Sequence, residues 1–160
     1  ILAWAAIEEL FKLAAAYIIA LRNRALDEPI DAIIYMVTVA LGFAALENSL
    51  FLLGALQSGG TLQSVIVGNL RFVGATLLHV LASATIGIAL ALAFYRGVRM
   101  RRMYLFLGVI LAIVLHAIFN FFILTIGGGI AFFVFLLVWV GVIGVLLFFE
   151  GLKRPSRDYC

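Results

Sequence analysis

Long apolar runs, broken at intervals by short polar or glycine-containing stretches, set the pattern of this chain. Each run reaches roughly 20 residues or more, which is what a helix needs to cross a hydrocarbon core about 30 Å thick. None shows the strict alternation of a barrel strand, and backbone groups in lipid must be paired within their own segment, so each run is read as helix. The punctuation divides the sequence into five spans, over 1–21, 32–56, 70–95, 103–126 and 130–152. Asp27-Glu28-Pro29 marks the first turn, with Pro29 suited to begin the second helix. The expected fold is therefore all-α: a polytopic transmembrane helix bundle forming a single domain over 1–152, followed by a short tail over 153–160. Repeated glycines, including Gly42, Gly87, Gly108, Gly141 and Gly144, stand where they would let helices approach closely.

Composition removes the soluble alternative. With 66% hydrophobic and 12% charged residues and a mean hydropathy of +1.25, the chain lacks the polar side chains that would cover a soluble domain. It opens on Ile1, already inside a span, so the expectation is an N-terminally truncated piece of a longer protein. The single cysteine, Cys160, offers neither a disulfide framework nor a thiolate metal site. A net charge of +3 gives no reason to expect nucleic acid.

The basic residues give an orientation. Arg22 and Arg24 follow span one, Arg96, Arg99, Arg101 and Arg102 separate spans three and four, and Lys153, Arg154 and Arg157 follow span five. Loops rich in Lys and Arg stay on the cytoplasmic side, which predicts a cytoplasmic C-terminus.

Against this apolar background a few polar residues stand out: Glu8, Glu9 and Lys12 in span one, Glu47 and Asn48 in span two, His79 and Ser83 in span three, His116 and Asn120 in span four. Counted along each helix from its expected cytoplasmic end, Glu8, Glu47, His79 and His116 all lie roughly 21 to 25 Å in, at 1.5 Å per residue. Four helices thus place ionisable groups in one layer, toward the outer half of the bilayer. Residues four apart share a helix face, which pairs His79 with Ser83, His116 with Asn120, Phe43 with Glu47, and Glu8 with Lys12. Lys12 can reach back to Glu8 as a counter-ion, and Glu9, three residues from it, competes.

Each residue taken singly has a structural reading. A histidine on a membrane helix is often an interhelical hydrogen-bond partner, a Glu–Lys pair can be plain neutralisation, and Glu47-Asn48 can be a polar clasp. The shared depth points further, because intramembrane ionisable residues are costly and mark pathways or chemistry. Two imidazoles with nearby carboxylates are ligand types that zinc takes, leaving a position for water in a catalytic site. A further carboxylate can act as general base, and an amide such as Asn120 or Asn48 can donate to an oxyanion. No H-E-x-x-H helix is present, so the common zincin arrangement is excluded.

The ordered string Glu8-Glu9-x-x-Lys12, Phe43-x-x-x-Glu47-Asn48, His79-x-x-x-Ser83 and His116-x-x-x-Asn120 resembles the PrsW family of intramembrane proteases, relatives of the type II CAAX prenyl proteases and bacteriocin-processing enzymes. The prenyl proteases carry Glu-Glu-x-x-x-Arg and Phe-x-x-x-His, whereas here Lys12 comes one residue earlier and Glu47 takes the place of the histidine. The resemblance implies an endopeptidase of a prokaryotic plasma membrane that cleaves membrane-associated proteins, with anti-sigma-factor site-one cleavage as the associated role. It further implies Glu8 and Glu9 as catalytic carboxylates, with His79 and His116 activating water or binding metal.

The resulting expectation is a metal-dependent protease. His79, His116 and a carboxylate from Glu47 or Glu9 hold Zn2+, Glu8 or Glu9 is the base, and Asn120 assists. Its partners are a membrane protein substrate and the lipid bilayer. Three alternatives stand beside it: a glutamate-only protease, a proton- or ion-coupled transporter using the same residues as a relay, and a non-catalytic scaffold. Paired inverted halves and a helix broken by proline, common in transporters, are not seen in the sequence.

Overall fold

A computed structural model of the chain describes residues 1–24, 26–57, 62–125 and 128–153. Five helices follow in order: α1 (Leu2–Ala16), α2 (Pro29–Gln57), α3 (Leu62–Leu92), α4 (Val98–Thr125) and α5 (Gly128–Lys153). Among the described residues there is no strand, and the tail from residue 154 onward lies outside them. Among the described residues three segments are long and apolar enough to cross a membrane: α2, residues 72–92 of α3 and residues 98–122 of α4.

Helix ends depart from the hydropathy reading. α3 begins at Leu62 and α4 at Val98, both ahead of the apolar boundary, because a helix can continue into the interface where polar side chains meet headgroups and water. The arginines at 99, 101 and 102 consequently sit on the first turns of α4 rather than in a loop. Pro29 opens α2 as expected, and Asp31 Oδ2 accepts the backbone N–H groups of Asp27 and Glu28 at 3.2 and 2.8 Å. The first span does not run as one regular helix: α1 gives way at Tyr17–Leu21 to a widened π-helical turn.

α3 is the centre of the bundle, in contact with all four other helices. One buried cluster joins Ala16 of α1, Ala32 and Met36 of α2, Ala82, Ile86 and Leu90 of α3, and Ala112 of α4. Four of these seven are alanine. That fits a membrane interior, where lipid is as apolar as the core and association depends on close van der Waals contact. A second cluster, Leu78, Phe119 and Val138, attaches α5 to α3 and α4.

Three glycines mark the tightest crossings. A Cβ at Gly87 would lie 2.7 Å from Ile33 Cα and 3.0 Å from the Ala32 carbonyl oxygen. One at Gly108 would meet Ala89 Cβ at 2.6 Å, and one at Gly141 would meet the Leu81 side chain at 2.8 Å. At Gly42 and Gly144 an added Cβ would meet nothing within 4 Å, so the packing role expected of them is not realised within this chain. Because the neighbour at Gly87 is backbone, Gly87→Ala should cost about 1–3 kcal/mol, the usual cost of overpacking. Gly42→Ala should be neutral or stabilising, since it raises helix propensity without a clash. Thermal unfolding of both variants in detergent checks this, and equal midpoints would refute the crossing.

Candidate functional site

The two apolar clusters leave room for the polar groups between them. On α3 His79 follows Leu78 and precedes Ala82, and on α4 His116 falls between Ala112 and Phe119. α1 contributes Glu8, Glu9 and Lys12 from its buried face, and α2 contributes Glu47. Burial is nearly complete: Glu9 is 0% exposed, Lys12 1%, His79 and His116 2% and Glu8 6%. Glu47 is the open member, its side chain 36% exposed.

Hydrogen bonds link five of the six, all but Glu8. Lys12 Nζ donates to Glu9 Oε1 at 2.5 Å and to His79 Nδ1 at 3.1 Å. The ammonium also lies 5.3 Å from the centre of the Phe43 ring. His79 Nε2 donates to Glu47 Oε2 at 2.7 Å, and His116 Nδ1 donates to Glu9 Oε1 at 2.7 Å. The two imidazoles stand edge to face with centroids 5.0 Å apart, and Phe43 packs edge-on against His79 at 5.4 Å.

These partners fix the tautomers, because a carboxylate can only accept and an ammonium can only donate. His79 carries its proton on Nε2 and offers Nδ1 to Lys12. His116 carries its proton on Nδ1, so the Nε2 lone pair faces Glu8 Oε2 across 3.5 Å. Glu8 Oε2 is buried and has no hydrogen-bond partner. Two acceptors confronting each other in a buried site require a proton, a water or a cation between them. Each of these is something a hydrolytic centre holds.

A metal fits the same place. Glu8, His79 and His116 each offer one ligand atom, and these atoms all lie within 4.8 Å of one another. Two imidazoles and a carboxylate are a catalytic zinc donor set, and the orphaned Glu8 oxygen is the observation that favours it; His79 could join as a ligand through Nδ1 once the Lys12 ammonium moves off that atom. Glu9 and Glu47, the carboxylates named as ligands from the sequence, lie in contact with the histidines instead. Each accepts an imidazole N–H, as the outer partners of metal-binding histidines do.

The structure thus brings Glu8, Glu9, Lys12, Glu47, His79 and His116 together, in keeping with the shared depth read from the sequence. Asn120 follows His116 by one turn, half-buried, and takes no part in the hydrogen bonds linking the others. Of the two carboxylates in reach of Lys12, Glu9 wins. Asn48, the other amide considered for an oxyanion, is a helix clasp: Nδ2 donates to Thr76 Oγ1 at 3.2 Å, and that hydroxyl donates to the Phe72 carbonyl at 2.7 Å. Ser83, one turn beyond His79, is fully buried and its hydroxyl has no partner. The cross-helix bond from Lys12 to His79 was not anticipated; equal depth was its only sequence signal.

Comparison with known proteins agrees with the geometry. A family profile described as "PrsW family intramembrane metalloprotease" matches residues 1–147. The chain is similar to proteins named Protease PrsW from three bacteria. It is 32% identical to that of Clostridioides difficile over 102 residues, covering 63% of this chain and 41% of the relative. With that of Geobacillus kaustophilus the identity is 32% over 121 residues, covering 76% and 50%. With that of Shouchella clausii it is 30% over 151 residues, covering 94% and 65%. The chain therefore spans about half the length of the curated relatives it matches. No solved structure matches it significantly.

Proposed function

The chain belongs to the PrsW family of intramembrane metalloproteases, and on that premise we propose that it hydrolyses peptide bonds of membrane-associated proteins at the cluster of Glu8, Glu9, His79 and His116. It is a multi-pass bacterial membrane protein. The observation that carries the reading is the gap between Glu8 Oε2 and His116 Nε2, two buried acceptors 3.5 Å apart.

Water placed there donates to both acceptors, which aims its oxygen lone pairs away toward a peptide carbonyl. Glu8 is the group best placed to take the proton as the carbonyl is attacked. Glu9 acts behind His116, holding its proton on Nδ1. Lys12 and Glu47 hold His79 from opposite edges, and Glu47 is the residue open enough to meet substrate. Asn120 supplies an amide donor one turn from His116 for the charge that develops on the carbonyl oxygen. The family resemblance suggests anti-sigma factors as the substrate class, and the basic ends of the helices favour cleavage toward the extracytoplasmic side.

Zinc held by Glu8, His116 and a His79 Nδ1 freed from Lys12 would polarise the carbonyl and activate water as a Lewis acid, with Glu8 then a ligand rather than the base. A metal-free reading has one observation of its own: the Lys12 ammonium already places a cation against Glu9 and His79 Nδ1. Metal analysis of the purified protein, with cleavage of single-span bacterial membrane proteins co-reconstituted in liposomes, separates the two. The expected result is stoichiometric zinc that a strong chelator removes together with activity, and that His116→Ala fails to bind. Cleavage without bound metal and indifferent to chelator would assign the chemistry to the carboxylates and imidazoles alone. Ion flux dependent on Glu47 and His79, with no cleavage of any substrate, would replace the protease reading by transport.

A further inference from the structure

At the end of the bundle away from the polar cluster, α1 and α4 part to leave a cavity of about 840 Å³, floored by Leu90 of α3. Its walls are divided by chemistry. Leu10, Leu13 and Ala14 of α1 and Leu105 of α4 form an apolar side, whereas Arg22, Arg101 and Arg102 gather at the other. Among the described residues no acidic side chain lines it. The carboxylate of Asp31, in the neighbouring turn, is occupied by backbone N–H groups, and among the described residues no ion pair engages the three arginines.

Two further observations set this cavity apart from a chance groove. The wall residues Tyr17 and Leu21 are the ends of the π-helical turn, a widening that is rare and frequently found at functional sites, and the Arg22 guanidinium lies 5.7 Å from the Tyr17 ring centre. The first turn of α4 holds several arginines and no acid, the reverse of what the positive end of a helix favours. Guanidinium groups, exposed N–H groups at a helix start and an apolar trough together suit a ligand with an anionic phosphate at one end and hydrocarbon at the other.

We propose that this cavity binds an anionic phospholipid, with Arg22, Arg101 and Arg102 meeting the headgroup phosphate and the wall of Leu10, Ala14 and Leu105 receiving the start of the acyl chains. A polypeptide suits it less well, since the lining offers few side-chain partners for backbone amides. Because α1 forms one wall and also carries Glu8, Glu9 and Lys12 within two turns, a bound lipid steadies the helix that supplies the acids. The site is independent of whether those acids hydrolyse anything.

The test uses native mass spectrometry of the protein purified from bacterial membranes, with titration of short-chain phosphatidylglycerol and phosphatidylcholine. Phosphatidylglycerol should be retained and phosphatidylcholine lost. Each Arg→Gln change at 22, 101 or 102 should weaken phosphatidylglycerol binding roughly fivefold, from the attraction of one basic group near an anionic lipid. Ala14→Phe, at an exposed wall position, should block the acyl side with all three arginines intact. Arg99→Gln, outside the cavity lining, should leave binding unchanged. Equal retention of both lipids overturns the proposal, as does full binding in the triple arginine variant or in Ala14→Phe. Displacement of the lipid by millimolar inorganic phosphate, or by an acidic peptide at equal concentration, would also overturn it, identifying a phosphate or peptide site instead.

Discussion

Glu8→Gln should abolish proteolysis while leaving the metal-free fold at least as stable as before. The loss should be at least about 10²–10⁴-fold, the range that a positioned acid or base contributes, because an amide can neither take the proton of the attacking water nor bind a metal as a carboxylate does. Stability should not fall, for a reason particular to this site. In the native chain Glu8 Oε2 and His116 Nε2 face each other as two acceptors across 3.5 Å, and the amide introduced by the substitution would place an N–H opposite that lone pair. The change thus removes the chemistry and relieves a buried oxygen that has no partner. Cleavage in liposomes and thermal unfolding in detergent should be read on the same preparation, the unfolding after chelator treatment so that metal binding does not enter. Wild-type cleavage by a well-folded variant would remove Glu8 from the reaction. A drop of several degrees in the unfolding midpoint would mean that Glu8 has a structural role instead.

Much of this site was legible in the sequence because ionisable residues are conspicuous among apolar ones. Glu8, Glu47, His79 and His116 announced themselves by cost, and rise per residue placed them at one depth before any packing was known. Rise per residue says nothing, however, about which neighbour a flexible side chain chooses. Lys12 can reach Glu8 at four residues or Glu9 at three, and the choice is made from outside α1, by His79 Nδ1 drawing the ammonium to the Glu9 side. The division of labour among the carboxylates was hidden for the same reason. Glu9 and Glu47 take imidazole N–H groups, leaving Glu8 as the carboxylate grouped with both histidines, and that outcome depends on helix rotation rather than spacing. Hydropathy also could not locate the starts of α3 and α4, since it reports where lipid ends and not where helix does. The π-helical turn at Tyr17–Leu21 has no composition that distinguishes YIIAL from any other apolar stretch.

Lys12→Met should be the most destabilising single change in the site. Lys12 and Glu9 are both fully buried and paired at 2.5 Å, and removing one partner of such a pair costs about 3–5 kcal/mol because the other charge is left without compensation. Glu9 would keep only the His116 N–H, and its second oxygen is already without a partner. His79 would lose the donor at Nδ1 and be held by Glu47 alone, so activity should fall with stability. Adding Glu9→Gln to Lys12→Met should recover part of the lost stability, since the double variant no longer leaves Glu9 as an uncompensated charge, but no activity, since Glu9 positions His116. Recovery of this kind is a coupling, with interaction energies of about 0.5–3 kcal/mol between residues in contact. Thermal or denaturant unfolding of the two single variants and the double in one detergent measures it. Strict additivity would show that Lys12 and Glu9 act separately, and a Lys12→Met midpoint equal to wild type would mean that the buried ammonium is not the counter-ion on which this cluster depends.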